Sequence, residues 1–273
     1  MIRSGPIRHH APHRLGAAIA ALAVAASAAA TAPAHADDEP IADGQWRGNA
    51  GAALSASAGN TRSSALLLNA DLARLTEADK IGLGANIQYA RSRVDGNDRT
   101  TANQIGAFGQ YDFNLSSRLF AFGRLALDRD QVIALDLRSA ANAGLGWKLV
   151  DRRGLRFTVF GGVGLTQDRY GSPQSIDGEV DTRFRRSTLL LAEESEHVLS
   201  AATRFKQRLE LLPAIGGDRG NRARLRADLA VALNRTMSLN VGLIADHNSA
   251  PPAGQRRTDT KLFTGVNVKL GAV

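Results

Sequence analysis

Six basic residues stand at alternate positions in two short stretches near the end of the chain. On an extended strand, alternate side chains point to the same face, so each stretch places three positive charges in a row. Rows of guanidinium and ammonium groups attract anions, as rings of charge do in the pores of channels. The sequence therefore predicts a basic strip, which consists of Arg204, Lys206 and Arg208 on one strand and Arg222, Arg224 and Arg226 on the next.

Four acidic residues lie near the basic strip in the sequence and allow a second interpretation. Glu194, Glu210, Asp228 and Asp246 are able to neutralise the strip by forming ion pairs with it. In that case the charges would stabilise the protein and would not contact a solute. The sequence leaves both interpretations open.

The stretch Asp246-His247-Asn248-Ser249 contains a histidine and a serine, the pair that nucleophilic hydrolysis requires. That chemistry needs a base oriented toward the hydroxyl group and a separate oxyanion site. Adjacent residues on a strand point to opposite faces, so His247 and Asn248 do not share a site on a regular strand. We therefore predict that the protein is not an enzyme, and a lipid hydrolase is the least favoured function.

The composition excludes several other kinds of site. The chain has no cysteine, so it has no disulfide framework and no thiolate metal site. The remaining candidate ligand, His197, is predicted in a short turn, and we expect neither a metal nor a cofactor. The net charge of +8 suggests nucleic acid, but only 5% of the residues are aromatic and the basic residues alternate with apolar ones. We expect no nucleic-acid partner.

An alternation of apolar with small or polar residues runs through most of the chain and predicts about twelve strands. Between Ala141 and Leu165, for example, Leu145, Trp147 and Val163 alternate with polar residues such as Asn142 and with glycines. Strands of roughly ten residues match the thickness of a bilayer. In lipid every backbone donor must be paired, so the sheet must close.

The sequence therefore predicts an all-β fold: an antiparallel transmembrane β-barrel of the outer-membrane type with an apolar outer face and a polar lumen. The alternative is a secreted sandwich or barrel with an apolar core. A soluble barrel needs only about eight strands, and twelve strands that carry rows of charge would leave its interior wet or unfilled.

The predicted connections alternate between short and long. The stretches "TEAD", "DRRG", "ESEH" and "NRTM" are short, whereas "RSRVDGNDRT", "RDQVIALDLR" and "DRYGSPQSIDGEVDTR" are long. Outer-membrane barrels have short periplasmic turns and longer extracellular loops. Both termini of the barrel are therefore predicted on the periplasmic side, and Trp46, Tyr89, Tyr111, Trp147 and Phe157 are predicted to lie at the membrane interfaces.

The first residues are typical of a secretory signal peptide. Arg3, Arg8 and Arg14 precede an apolar run over residues 15–30, and Ala34-His35-Ala36 supplies the small residues of a cleavage site. We predict a signal peptide over residues 1–36, a short periplasmic segment over 37–45 and an outer-membrane barrel over 46–273.

Four stretches of the chain are similar to one known family. They are "SAGNTRSS" (57–64), "DRDQVIALDLRSAANAGLGWKL" (128–149), "LNRTMSLNVGL" (233–243) and "DHNSAPP" (246–252). On these stretches the sequence resembles the domain of unknown function 481 family, whose members are often labelled salt-induced outer-membrane proteins. The resemblance implies an outer-membrane barrel and supplies no established activity, ligand or catalytic residue.

Together these features predict a passive envelope protein. It would be either a narrow diffusion channel that prefers anions or a stress-related (salt-related) barrel, and the alternative is a structural or binding barrel without conductance. The expected partners are outer-membrane lipid, the barrel-assembly machinery, periplasmic chaperones and, for a channel, small anionic solutes.

Overall fold

Alternating sequence over almost the whole chain produces strands and little else. The computed structural model describes residues 42–57, 62–94, 97–215, 220–253 and 255–271. The strands are β1 (Trp46–Ser57), β2 (Arg62–Leu75), β3 (Asp79–Val94), β4 (Asn97–Asn114), β5 (Leu119–Asp130), β6 (Leu135–Arg152), β7 (Leu155–Ile176), β8 (Glu179–Val198), β9 (Thr203–Leu212), β10 (Arg222–Ala232), β11 (Met237–Asn248) and β12 (Thr258–Gly271).

The twelve strands form one closed antiparallel barrel. Each strand pairs with its neighbours in the sequence, and β1 closes the sheet by pairing with β12. None of the described residues forms a helix long and apolar enough to cross a membrane. The predicted fold class, an all-β antiparallel barrel of the outer-membrane type with about twelve strands, is confirmed. The predicted signal peptide over 1–36 lies outside the described residues.

The registers assign every strand residue to one of two faces. Away from the register shifts, even-numbered residues point inward from β3 to β11, and odd-numbered residues point inward in β12, β1 and β2. The phase differs before the shift between Leu135 and Leu137 in β6, where Leu135 pairs with inward Tyr170. Outward side chains such as Leu125 (67% exposed), Leu165 (65%) and Leu262 (75%) are apolar and uncovered. The barrel is therefore apolar outside and polar inside, the reverse of a soluble protein.

The two ends of the barrel differ. At the terminal end, where β1 begins and β12 ends, residues 76–78, 115–118, 153–154, 199–202 and 233–236 connect the strands. At the opposite end, here called the far end, β7 and β8 extend to 22 and 20 residues. A two-residue turn joins them, and the positive φ angles of Asp177 (49°) and Gly178 (82°) fit a type I′ hairpin.

The extended strands correct the predicted long loops. The stretch from Asp168 to Arg183 was expected to be the longest loop, but all of it except the turn belongs to β7 and β8. Likewise residues 91–94 continue β3, residues 97–100 belong to β4, and only residues 131–134 separate β5 from β6. Polar composition indicated loops because few apolar residues stand in these strand segments, and Tyr170 and Ile176 are the inward exceptions in β7.

Apolar side chains fill the lumen along one side. Phe120, Phe122, Phe160 and Leu190 point inward from β5, β7 and β8 and form a buried cluster, in which Phe160 packs edge-to-face on both other rings at 5.7 Å. A second buried cluster, nearer the far end, consists of Leu135, Tyr170, Ile176 and Phe184.

Inward glycines make room for these rings. A Cβ atom at Gly146 would lie 2.1 Å from Cζ of Phe120, its direct partner on β5. Gly84 has the same relation to Phe108 on β4. An aromatic ring that lies flat over a glycine of the neighbouring strand is a known way to stabilise a sheet at glycine.

Candidate functional site

The basic strip lies on the inner wall of the barrel. Its six side chains occupy inward positions of β9 and β10, where Arg208 is directly opposite Arg226 and Lys206 is opposite Asp228. We use the name charged wall for the inward charged side chains of β8, β9, β10 and β11. It contains seven basic residues (Arg186, Arg204, Lys206, Arg208, Arg222, Arg224 and Arg226) and five acidic residues (Glu194, Glu196, Glu210, Asp228 and Asp246).

Carboxylates on the same strand and on neighbouring strands bind most of the strip. Arg208 donates to Glu194 and Glu210 at 2.8 Å each, and its guanidinium lies 4.8 Å from the centre of the Phe160 ring. Arg224 pairs with Asp246 on β11. Charge-assisted hydrogen bonds of this kind are roughly twice as strong as neutral ones, so these two arginines hold the wall together.

Glu196 is shared by three basic residues. It pairs with Arg156 at 2.7 Å, with Arg204 at 3.2 Å and with Lys206 at 3.3 Å. Lys206 nevertheless keeps 58% of its side-chain surface exposed. One carboxylate therefore serves three cations, and this part of the wall keeps an excess of positive charge.

Asp168 is the centre of a second cluster toward the far end. Only 1% of its surface is exposed. Arg138 forms a bidentate pair with it at 2.6 and 2.9 Å, while Arg186 and Arg222 reach its Oδ2 atom at 3.1 and 3.4 Å. Arg222 belongs to β10 and Asp168 to β7, so this cluster ties together strands that are not neighbours.

Arg226 differs from the other members of the basic strip. Its side chain is exposed, and among the described residues no carboxylate lies within ion-pair distance of it. Lys206, on the neighbouring strand, is the other member of the strip with an exposed side chain. Arg226 and Lys206 are therefore the two charges of the strip that face open lumen.

Sequence reasoning missed two carboxylates of this site because it placed both outside the strands. Glu196 was assigned with His197 to a periplasmic turn, but both residues belong to β8, and the turn follows at residues 199–202. His197 instead points outward and packs beside Phe205. Asp168 was assigned to a loop. Tyr170 and Ile176, which stand at even positions in phase with Phe160, were the available signal that the strand continues.

The opposite side of the lumen is lined mainly by uncharged amides. We use the name amide wall for the inward side chains of Asn49, Asn69, Asn86, Gln88, Gln104, Asn240 and Asn267, which come from six adjacent strands, β11, β12 and β1 to β4. Lys261 on β12 spans part of this wall and donates to Gln88 and Gln104 at 2.9 Å each. Inward glycines separate many of the amides.

His247 and Ser249, the candidate base and nucleophile for hydrolysis, do not form a catalytic pair. His247 points outward, and its Nδ1 atom contacts the hydroxyl of Thr258 at 2.9 Å. The backbone N–H of Asn221 donates to the hydroxyl of Ser249 at 2.7 Å. Within the described part of the chain, no group of three or more histidine or acidic residues is arranged to hold a metal ion.

An ion pair lies just before the barrel, at its terminal end. Arg47 donates to both oxygens of Asp43, at 2.7 and 2.6 Å. These hydrogen bonds, together with one from the backbone N–H of Gln45, hold the pKa of the Asp43 carboxyl well below its ordinary value. The pair fixes the segment that leads into β1.

A family model described as "Protein of unknown function, DUF481" matches residues 50–270. The chain belongs to the DUF481 family. The DUF481 match extends from β1 to β12, so it includes every strand that lines the lumen. The predicted resemblance to this family is thus confirmed. No curated protein matches the chain in sequence.

Several solved barrels are similar to this DUF481 member in structure. A structure titled NanC porin has 12% sequence identity and a TM-score of 0.49, with 83% of this chain and 99% of that chain covered. An outer-membrane channel, COG4313 from Pseudomonas putida F1, has 11% identity and a TM-score of 0.49, with 87% and 98% covered. The KdgM porin has 12% identity and a TM-score of 0.41, with 82% and 98% covered.

Proposed function

We propose that the protein is an outer-membrane barrel through which small solutes diffuse passively, with a preference for anions. Its membrane location is supported by the outer surface of the barrel, where leucine and valine side chains are exposed around the circumference. Exposed apolar surface of this extent is unfavourable in water and favourable in lipid. Trp46, Tyr111 and Trp147, which are 42–53% exposed, lie outward near the terminal end, as aromatic girdles do at an interface.

The proposal also includes export of the chain across the inner membrane. The predicted signal peptide over 1–36 would direct the chain to the periplasm, where chaperones and the barrel-assembly machinery handle outer-membrane barrels. The protein should fractionate with outer membranes and migrate differently on gels before and after boiling, because a closed barrel resists unfolding by detergent. Release of the folded protein by osmotic shock would contradict the membrane location.

The observation that carries the anion preference is the excess of basic residues on the charged wall. Seven basic residues outnumber five acidic ones there, and the side chains of Lys206 and Arg226 are exposed in the lumen. Charges that face a narrow aqueous path raise the local concentration of ions of opposite sign. The lumen is therefore suited to anions.

Reversal potentials across a planar bilayer in a potassium chloride gradient test this proposal. The native protein should select chloride over potassium, less so at high salt, where charges are screened. Lys206→Glu combined with Arg226→Glu should shift the selectivity toward cations. Arg185→Glu is the matched control because Arg185 points outward on β8. Cation selectivity of the native protein, or equal selectivity of all variants, would contradict the proposal.

A structural barrel without conductance is the second candidate. It is supported by the two apolar clusters and by the Asp168 cluster, which fill the lumen along β5 to β8. Absence of channel activity in correctly folded, membrane-inserted protein would favour this role. The salt-related role that the family resemblance implies stays a prediction, and measuring the protein level before and after a salt shift would test it.

A further inference from the structure

We propose that the preferred solutes of this lumen are polyhydroxylated carboxylates, molecules that carry several hydroxyl groups together with a carboxylate. The inference deepens the proposed diffusion function and rests on it. It combines three observations: amides with unused hydrogen-bonding groups on one wall, open positive charges on the other, and apolar side chains that are buried away from the water.

The amides of the amide wall lie against glycines of the neighbouring strands. A Cβ atom at Gly51 would stand 1.9 Å from Oδ1 of Asn267 and 2.5 Å from Oδ1 of Asn69, so both carboxamides lie over this glycine. Asn86 has a similar position over Gly106, at 2.8 Å. Glycine therefore creates a shallow floor on which the carboxamides lie along the wall.

These amides have hydrogen-bonding capacity to spare. No side-chain hydrogen bond among the described residues involves Asn49, Asn86 or Asn267. Each carboxamide offers two N–H donors and a carbonyl acceptor, whereas a hydroxyl group is both donor and acceptor. A row of carboxamides therefore suits a solute with several hydroxyl groups, which exchanges bonds from one amide to the next as it moves.

The opposite side of the lumen supplies the charge. Arg226 is exposed, and the side chain of Lys206 on the neighbouring strand is 58% exposed. A solute that passes between the walls therefore meets amides and open cations together. Arginine binds carboxylates particularly well because its planar donors match the two oxygens.

Apolar acids find less to bind in the same lumen. The inward rings of Phe120, Phe122 and Phe160 are only 5–8% exposed, since they pack on each other and on Leu190. Arg208 covers Phe160 further. The hydrophobic surface of this cluster is thus used in packing, and we expect hydroxyl groups to increase the permeation rate of a carboxylate.

Three six-carbon probes separate the two requirements. Glucarate carries two carboxylates and four hydroxyl groups, adipate carries the carboxylates alone, and glucitol carries hydroxyl groups alone. In swelling assays with proteoliposomes, and in bi-ionic reversal potentials against chloride for the two anions, glucarate should permeate several-fold faster than adipate. It should also swell the liposomes faster than glucitol.

Variants of the amide wall make the test specific. Asn86→Leu combined with Asn267→Leu removes two carboxamides with little change in shape, and it should bring the glucarate to adipate ratio close to one while chloride conductance persists. Thr158→Val on β7 is the matched control, because it removes an inward polar group outside the amide wall. The control should keep the native ratio.

The outcomes distinguish this inference from the function on which it rests. A native barrel that passes chloride but does not favour glucarate over adipate overturns the solute class alone. The same conclusion follows if the ratio survives in the Asn86 and Asn267 double variant. A folded native barrel that passes no chloride overturns the diffusion function, and the solute class with it.

Discussion

The two walls of the lumen use polar side chains in opposite ways. On the charged wall, carboxylates hold five of the six members of the basic strip at 2.5–3.4 Å. On the amide wall, several carboxamides form no side-chain bond within the described residues. Most charges of the basic strip therefore form ion pairs that stabilise the barrel. The uncharged carboxamides are the groups that remain available to a solute.

Electrostatics explain the difference. A charge in a partly dehydrated lumen is stable only when opposite charges and hydrogen bonds compensate it, so most of the strip is bound to carboxylates. An amide carries no net charge, and water or a passing solute satisfies it at little cost. The walls should therefore respond very differently to the loss of one side chain.

The largest difference in the free energy of unfolding is expected between variants of two aspartates. Asp168→Ala leaves Arg138, Arg186 and Arg222 without their shared carboxylate in a buried site, and removing one partner of a buried pair costs about 3–5 kcal/mol. Asp71→Ala, on β2 beside the amide wall, removes an exposed carboxylate and should cost only about 0.5 kcal/mol. Unfolding by urea in detergent measures both, and equal losses would contradict the structural role of the buried Asp168 cluster.

A second pair of variants compares two members of the basic strip. Arg208→Met leaves Glu194 and Glu210 without their partner, and the loss of charge-assisted bonds should lower the free energy of unfolding by about 2–3 kcal/mol. Arg226→Met, directly opposite on β10, should change stability by less than about 0.5 kcal/mol. It should nevertheless reduce anion selectivity more than Arg208→Met does. If Arg208→Met has the larger effect on selectivity, the two roles are reversed.

The sequence was sufficient for the fold because a strand period of two is a local signal. The alternation around Trp147 and Val163 shows which face is apolar, and both side chains are exposed on the outer surface, at 53% and 57%. The closed twelve-stranded sheet follows from the number of strands and from the need to pair every edge.

The partners of the site were harder to predict, because ion pairs connect residues across strands. Glu194 and Glu210 were expected near the strip from the sequence, but the sharing of Glu196 by three cations depends on the register of β8 with β9. A turn placed a few residues too early moved Glu196 out of its strand. Asp168 was missed because the far ends of β7 and β8 are rich in polar residues and turn formers, although Tyr170 and Ile176 point inward there. The amide wall joins the two ends of the chain and becomes visible only after the barrel closes.

A smaller loss of stability is expected from overpacking the buried phenylalanine cluster inside the barrel. Gly146→Ala would place a methyl group 2.1 Å from the Phe120 ring, and overpacking of this kind should cost about 1–2 kcal/mol. Gly161→Ala is the matched control on the adjacent strand, since a Cβ atom there meets nothing within 4 Å. The control should be neutral or slightly stabilising. Equal stability of the two variants would show that the ring does not rest on Gly146.

The smallest effect on stability is expected where a charge touches the amide wall. Lys261 donates to Gln88 and Gln104, two neutral acceptors that water is able to satisfy in its absence. Lys261→Met should therefore lower the free energy of unfolding by less than about 1 kcal/mol. Because the lysine reaches across the amide wall from β12 to β3 and β4, its shorter and uncharged replacement should increase single-channel conductance and reduce anion selectivity slightly. Lys148→Met, which removes an inward lysine of β6 near the terminal end, is the control for the loss of charge alone. If the two variants change conductance equally, the bridge that Lys261 forms over the amide wall does not narrow the path of the solute.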